Sequence, residues 1–212
     1  MKTLVQCDFD GTVTEEDVSF LLLDAFANGD WRKILQEYKD GRISVGQFNA
    51  RSFSLVEASE ATLTDYTLKH ARLRPGFREL VAYCRQRHHR IVIVSNGLDF
   101  YIRAILRHIN EADIEVHASQ TRFLPRGLTV RYLVSDGQEL ETGFKDWYAD
   151  LFLGQGYRLV YLGNGFSDVS PARRAHLVFA TGDLPAFCNE AHLDCVAFND
   201  FAEVRSTLEA RL

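Results

Sequence analysis

The sequence predicts an α/β protein: a doubly wound, mostly parallel sheet with a small helical cap inserted after the first strand. Three observations carry this. Six short apolar runs, at residues 4–7, 91–94, 114–118, 159–162, 177–180 and 195–198, have the length and composition of buried strands. Helical patterns separate later runs, as parallel strands require. The interval before the second run is too long and too helical for a simple crossover.

The first run, Leu4-Val5-Gln6-Cys7, ends at Asp8 and a glycine turn. Residues 15–73 hold no convincing strand but four amphipathic helical segments, at 18–27, 31–39, 45–56 and 61–70. Asn28-Gly29-Asp30 and Asp40-Gly41 break them. Inserted there, these helices form a lid over the carboxyl end of the first strand. The organisation is a core domain of residues 1–14 and 74–212 and a cap domain of residues 15–73. Ile91-Val92-Ile93-Val94 is apolar without alternation, as in a central strand covered on both faces. Helices at 76–87, 100–108, 145–154 and 200–212 complete the alternation. Between Thr121 and Ser135, a turn signal in Phe123-Leu124-Pro125-Arg126-Gly127 predicts a small hairpin off the main sheet.

Composition narrows the function classes. Among 212 residues, 46% are hydrophobic and 25% charged, and the formal net charge is −5 without a basic block, which argues against nucleic acid. No apolar run approaches a membrane span. The four cysteines, Cys7, Cys84, Cys188 and Cys195, lack metal-type spacing and read as reduced thiols of a cytoplasmic protein. An acidic chain handling an anionic substrate must concentrate positive charge locally.

Four stretches supply such a place. In Asp8-Phe9-Asp10-Gly11-Thr12, the two carboxylates project from the same strand end. They need a cation or a shared proton to coexist. Ser95-Asn96-Gly97 follows the second strand and offers a hydroxyl and exposed N–H groups, a phosphate cradle at the next helix N-terminus. Lys145 opens an amphipathic helix. Gly163-Asn164-Gly165-Phe166-Ser167-Asp168 follows another strand, and Asn164 and Asp168 carry hard oxygen donors of the kind magnesium prefers. Each stretch also has an ordinary reading as a turn, an N-cap or a surface lysine.

In this order the four resemble the haloacid dehalogenase superfamily of phosphatases, with a Rossmann-like sheet and the cap of the phosphoserine phosphatase-like subclass. Arg74-Pro75-Gly76-Phe77-Arg78-Glu79, Gly97-Leu98-Asp99-Phe100-Tyr101 and Asp168-Val169-Ser170-Pro171 are similar to the methionine-salvage branch, which acts on 2-hydroxy-3-keto-5-methylthiopentenyl 1-phosphate. The resemblance implies that Asp8 is the nucleophile and forms an aspartyl-phosphate. Asp10 is then the acid and base, and Lys145 neutralises charge. Ser95, Asn96 and Gly97 would hold the phosphoryl oxygens. It implies Mg2+ held by Asp8, the Asp10 carbonyl, Asn164 and Asp168.

One position departs from the pattern: Asn164 stands where the family usually has aspartate, so magnesium binding is expected to be weaker. Asn164-Gly165 is also open to deamidation. In the cap, the resemblance gives Asp17 a contact with the substrate; a first-turn helix acid favourable to the helix dipole is the alternative. Arg51 is in the wrong register to meet a substrate carboxylate, and Phe20, Phe48 and Phe53 are candidates for an apolar pocket. The expected function is hydrolysis of a small phosphorylated metabolite by a monomer or homodimer. The alternatives are a phosphoserine phosphatase-like or broad phosphatase, and a non-catalytic phospholigand-binding protein.

Overall fold

The computed structural model describes residues 2–125 and 127–212. Arg126, in the predicted hairpin turn, lies outside the described residues. The first strand, β1 (Thr3–Cys7), is buried throughout. Four helices follow: α1 (Val18–Phe26), α2 (Trp31–Lys39), α3 (Val45–Phe53) and α4 (Glu60–His70). Then come α5 (Phe77–Gln86), β2 (Arg90–Leu98), α6 (Asp99–His108), β3 (Glu115–Phe123), β4 (Leu128–Arg131) and α7 (Phe144–Gly154). After β5 (Arg158–Gly163), a 3-10 turn (Phe166–Asp168) runs into α8 (Val169–Ala172). β6 (Leu177–Ala180), α9 (Leu184–Glu190), β7 (Val196–Ala197) and α10 (Phe201–Arg211) close the chain.

One seven-stranded sheet has the order β4-β3-β2-β1-β5-β6-β7. β1 is central, parallel to β2 on one side and β5 on the other. Chain order reverses direction across β1, and such a switch opens a crevice at the carboxyl ends of the strands. β3 and β4 pair antiparallel, with Thr121 opposite Val130 and Phe123 opposite Leu128. The hairpin therefore forms as expected: β4 pairs with residues 120–123 of β3, beyond the stretch of β3 that pairs with β2.

Local sequence explains the helix starts. Asp17 accepts from Phe20 N at 3.0 Å, Ser44 and Gln47 form a capping box, and Ser59 accepts from Thr62 N. Such caps are worth about 1 kcal/mol each. α9 was not among the expected helices. Proline within the first turn is compatible with a helix start.

Thr14 pairs antiparallel with Leu73, Glu15 N donates to Arg72 O at 2.9 Å, and Arg74 N donates to Val13 O at 2.8 Å. The chain thus leaves for α1–α4 and returns at adjacent points beyond β1. Those helices share a continuous apolar core with the sheet, through Leu22, Phe53 and Leu63 beside Val5 and Val94. Fully burying one such side chain contributes about 1.5–3 kcal/mol. Among the described residues, no helix is long and apolar enough to cross a membrane.

Candidate active site

A cavity of about 740 Å³ opens at the carboxyl ends of β1, β2 and β5, lined by Asp8, Asp10, Ser95, Gly97, Lys145 and Asn164. Phe20, Leu35, Tyr38, Phe48 and Asn49 from α1–α3 form its other wall.

The loop after β1 is a tight turn. Phe9 O accepts from the N–H groups of Thr12, Val13 and Thr14, and Phe9 is wholly buried, so its flanking carboxylates face the crevice. Arg74 staples the loop, donating to Gly11 O at 2.9 Å and Thr12 O at 2.8 Å. Gly11 is left-handed, at φ +71°, and a methyl group there would collide with the Asn164 amide.

Lys145 sits in the first turn of α7 and is 3% exposed. Gln6 fixes its backbone, donating to Lys145 O at 3.0 Å. Its ammonium reaches Asp8 Oδ1 at 2.9 Å and Asp168 Oδ1 at 2.6 Å. Burial pulls the Lys145 pKa down, but Asp168 and Asp8 more than reverse this, so the group stays charged. Burial raises Asp8 from 3.8 to about 6, against the opposing pull of Lys145. Asp10 is raised well above the usual carboxylate range, by burial and then by Asp17. Asp17, which also lines the cavity while capping α1, is raised to about 6 by burial.

Asp168 departs from expectation. Its Oδ1 accepts from Lys145 and, at 2.6 Å, from Tyr161. Its Oδ2 accepts from Asn164 N and Gly165 N, both at 3.0 Å. Four donors fill a carboxylate's acceptor sites. The expectation of a direct metal ligand is therefore revised: Asp168 holds Lys145 and the Asn164 loop in place. The bond to Gly165 N also occupies the nitrogen that deamidation of Asn164 would need.

The Ser95-Asn96-Gly97 stretch is also differently built. It is the irregular end of β2, with a register shift between Val94 and Leu98, rather than a turn directly before a helix. Ser119 Oγ donates to Gly97 O at 2.7 Å, and Asn49 and Tyr132 both donate to Asn96 O. Gly97 N donates to Ser95 Oγ at 3.0 Å. The hydroxyl and Gly97 N–H expected to meet phosphate are thus bonded to each other here. Gly97 has another reason to be glycine: a methyl group would collide with Asp10 Oδ2 and the Tyr101 hydroxyl.

Asp8, Asp10 and Asn164 converge on the cavity as a set of hard oxygen donors, and burial disfavours charge on both acids, a cost that a bound cation would relieve. That set fits magnesium with one carboxylate, one amide oxygen and one main-chain carbonyl. Among the described residues, no three His, Cys, Asp or Glu side chains cluster around a metal position.

Arg51 points away, paired with Glu37 at 2.7 Å on the surface. Phe20 and Phe48 line the cavity as expected, whereas Phe53 is wholly buried in the core. Arg74, Tyr101, Tyr132 and Tyr161 were not foreseen as site residues. The contacts of Arg74, Tyr101 and Tyr132 link positions far apart in sequence, whereas Tyr161 meets Asp168 from the same β5 region.

The model of the haloacid dehalogenase-like hydrolases matches residues 5–173. The chain belongs to that family. Several of its relatives are named as phosphatases. The 2-hydroxy-3-keto-5-methylthiopentenyl-1-phosphate phosphatase of Brevibacillus brevis is 26% identical, over 98% of this chain and 96% of its own length. That of Geobacillus kaustophilus is 29% identical, over 96% and 94%. The bifunctional enzyme MtnB/MtnX of Bacillus licheniformis is 31% identical over 98% of this chain, which spans only 49% of that relative. Among solved structures, a phospho-aspartyl intermediate analogue of phosphoserine phosphatase has a TM-score of 0.71 at 18% identity, covering 97% of this chain and 98% of its own. At that identity the likeness speaks for the hydrolase fold alone.

Proposed function

We propose that this hydrolase cleaves a small phosphomonoester with magnesium through an aspartyl-phosphate, and that its substrate is the 2-hydroxy-3-keto-5-methylthiopentenyl 1-phosphate named for its relatives. The observation that carries the mechanism is the buried bridge from Lys145 to Asp8 and Asp168 at the floor of a single cavity. An ammonium fixed beside a carboxylate prepares that carboxylate to meet a phosphate dianion, and phosphoryl transfer depends mainly on positioning and charge neutralisation.

Asp8 attacks phosphorus, and the bond to the leaving oxygen breaks with its electron pair. Asp10 gives that oxygen a proton and later removes one from the water that hydrolyses the aspartyl-phosphate. Ser95 and the N–H groups of Asn96 and Gly97 receive phosphoryl oxygens once the Ser95–Gly97 bond yields. Asp8, the Asp10 carbonyl and Asn164 would hold magnesium, which would supply further charge neutralisation. Residues 15–73 serve as the cap. The apolar wall of Phe20, Leu35, Tyr38 and Phe48 suits an uncharged tail such as a methylthio group. The Arg51–Glu37 pair favours this over phosphoserine, whose carboxylate would need a cation. Four free thiols suit a cytoplasmic location.

The test is phosphate release from p-nitrophenyl phosphate in excess magnesium, followed by a panel of phosphorylated metabolites that includes both named substrates. Asp8→Asn is expected to abolish release. Tight binding of a phosphorylated ligand without turnover would favour a non-catalytic role.

A further inference from the structure

Groups outside its own loop fix the position of Asp10. Its Oδ1 accepts from Val18 N at 3.1 Å, and its Oδ2 accepts from the Tyr101 hydroxyl. Tyr101 lies on α6, wholly buried, and its hydroxyl contacts that of Ser19 on α1 at 2.9 Å. Gly97 passes so close that any side chain would displace both Asp10 and Tyr101. Burying a phenol hydroxyl costs free energy unless it is bonded, and phenylalanine would fill the same core without that cost. The hydroxyl is committed to the Asp10 carboxyl.

We propose that Tyr101, backed by Ser19, is a positioning residue that holds Asp10 in line to deliver its proton to the leaving oxygen. The inference rests on the phosphatase mechanism above, in which Asp10 is the acid. As the phosphorus–oxygen bond breaks, the leaving oxygen keeps the electron pair and takes the Asp10 proton. Asp10 becomes a carboxylate, with Tyr101 donating to its Oδ2 and Ser19 donating to the Tyr101 oxygen. When water attacks the aspartyl-phosphate, Asp10 takes the water's proton and the starting state returns. Tyr101 holds its own proton throughout.

The test exploits leaving-group chemistry. A p-nitrophenolate departs with little need of a proton, whereas an alkoxide requires one. First-turnover release of the leaving group, which precedes hydrolysis of the intermediate, is measured for p-nitrophenyl phosphate and for an alkyl phosphomonoester. Tyr101→Phe is expected to slow alkyl release on the order of 10²-fold. Release of p-nitrophenol should change by less than about 3-fold, with apparent affinity for both esters unchanged. Ser19→Ala, which leaves Tyr101 in place, should give a smaller loss in the same direction and decides the matter if Tyr101→Phe does not fold. Equal losses for both esters, or none for either, overturn the inference while leaving the phosphatase reading intact. Failure of the unaltered protein to release either leaving group overturns both.

Discussion

Asp168 makes the shorter of the two ion pairs that Lys145 forms, at 2.6 Å against 2.9 Å to Asp8. The lysine is therefore anchored from behind by a carboxylate whose oxygens are otherwise occupied, and its remaining charge faces Asp8.

Removing either end of that anchor should be costly in both stability and turnover. Lys145→Met leaves two buried carboxylates facing each other, and breaking a buried pair costs about 3–5 kcal/mol. Turnover should fall on the order of 10²- to 10³-fold, as when one fixed donor is lost from a charged transition state. Asp168→Asn keeps the shape but releases the ammonium and should also slow turnover by about 10²-fold. Urea unfolding and phosphate release measure the two effects; wild-type turnover in either variant would refute the anchor.

As a magnesium ligand, the role proposed for it, Asn164 would supply a neutral oxygen in place of a charged one. Two unit charges near 4 Å interact by about 4 kcal/mol at an effective dielectric of about 20, and solvent and other ligands reduce the net gain. Asn164→Asp should therefore bind magnesium more tightly, which calorimetry reads directly, and should reach half activity with less metal. Unchanged affinity would mean that this side chain does not face the ion.

The buried acids set a pH dependence with a definite sign. Asp8 is raised from 3.8 to about 6 on folding, mainly by burial, so the native state keeps its proton where the unfolded chain has lost it. Stability from this group is greatest below about pH 4, falls as pH rises to about 6, and stays low above. The difference is worth up to about 3 kcal/mol. Metal-free Asp8→Asn should thus gain stability over the parent between pH 4 and pH 7. Asp17, raised to about 6 as well, should show the same trend in Asp17→Asn. Urea midpoints in chelator that move in parallel with pH would contradict this.

Arg51 on α3 pairs with Glu37 on α2 at the surface and does not line the cavity. Arg51→Ala should leave kcat and KM unchanged and cost no more than an exposed pair, about 0–1 kcal/mol. A raised KM for a carboxylate-bearing substrate alone would return the phosphoserine reading to favour.

Much of the fold was legible because its signals are local. Apolar runs marked β1, β2, β3, β5 and β6, and amphipathic stretches marked α1 to α4 close to where they formed. The Asp8 and Asp10 pair was legible from strand alternation alone. Less was visible where a residue's task depends on distant partners. Asp168 looks like a metal ligand until Tyr161, Lys145 and two backbone amides are seen to occupy its oxygens. Ser95-Asn96-Gly97 looks like a turn until Ser119, Asn49 and Tyr132 hold it as the bulged end of a strand.

The sequence by itself determined the alternating elements, the helical insertion and the residue types at three strand ends, since periodicity, capping and turn chemistry act over a few residues. Only the tertiary structure decided which oxygens stay open to a ligand and which are already bonded. That is settled by chain segments some 20 to 140 residues apart, such as Gln6 with Lys145, Tyr101 with Asp10, and Lys145 with Asp168. Hydrogen-bond saturation is a property of the packed neighbourhood, and no local pattern encodes it.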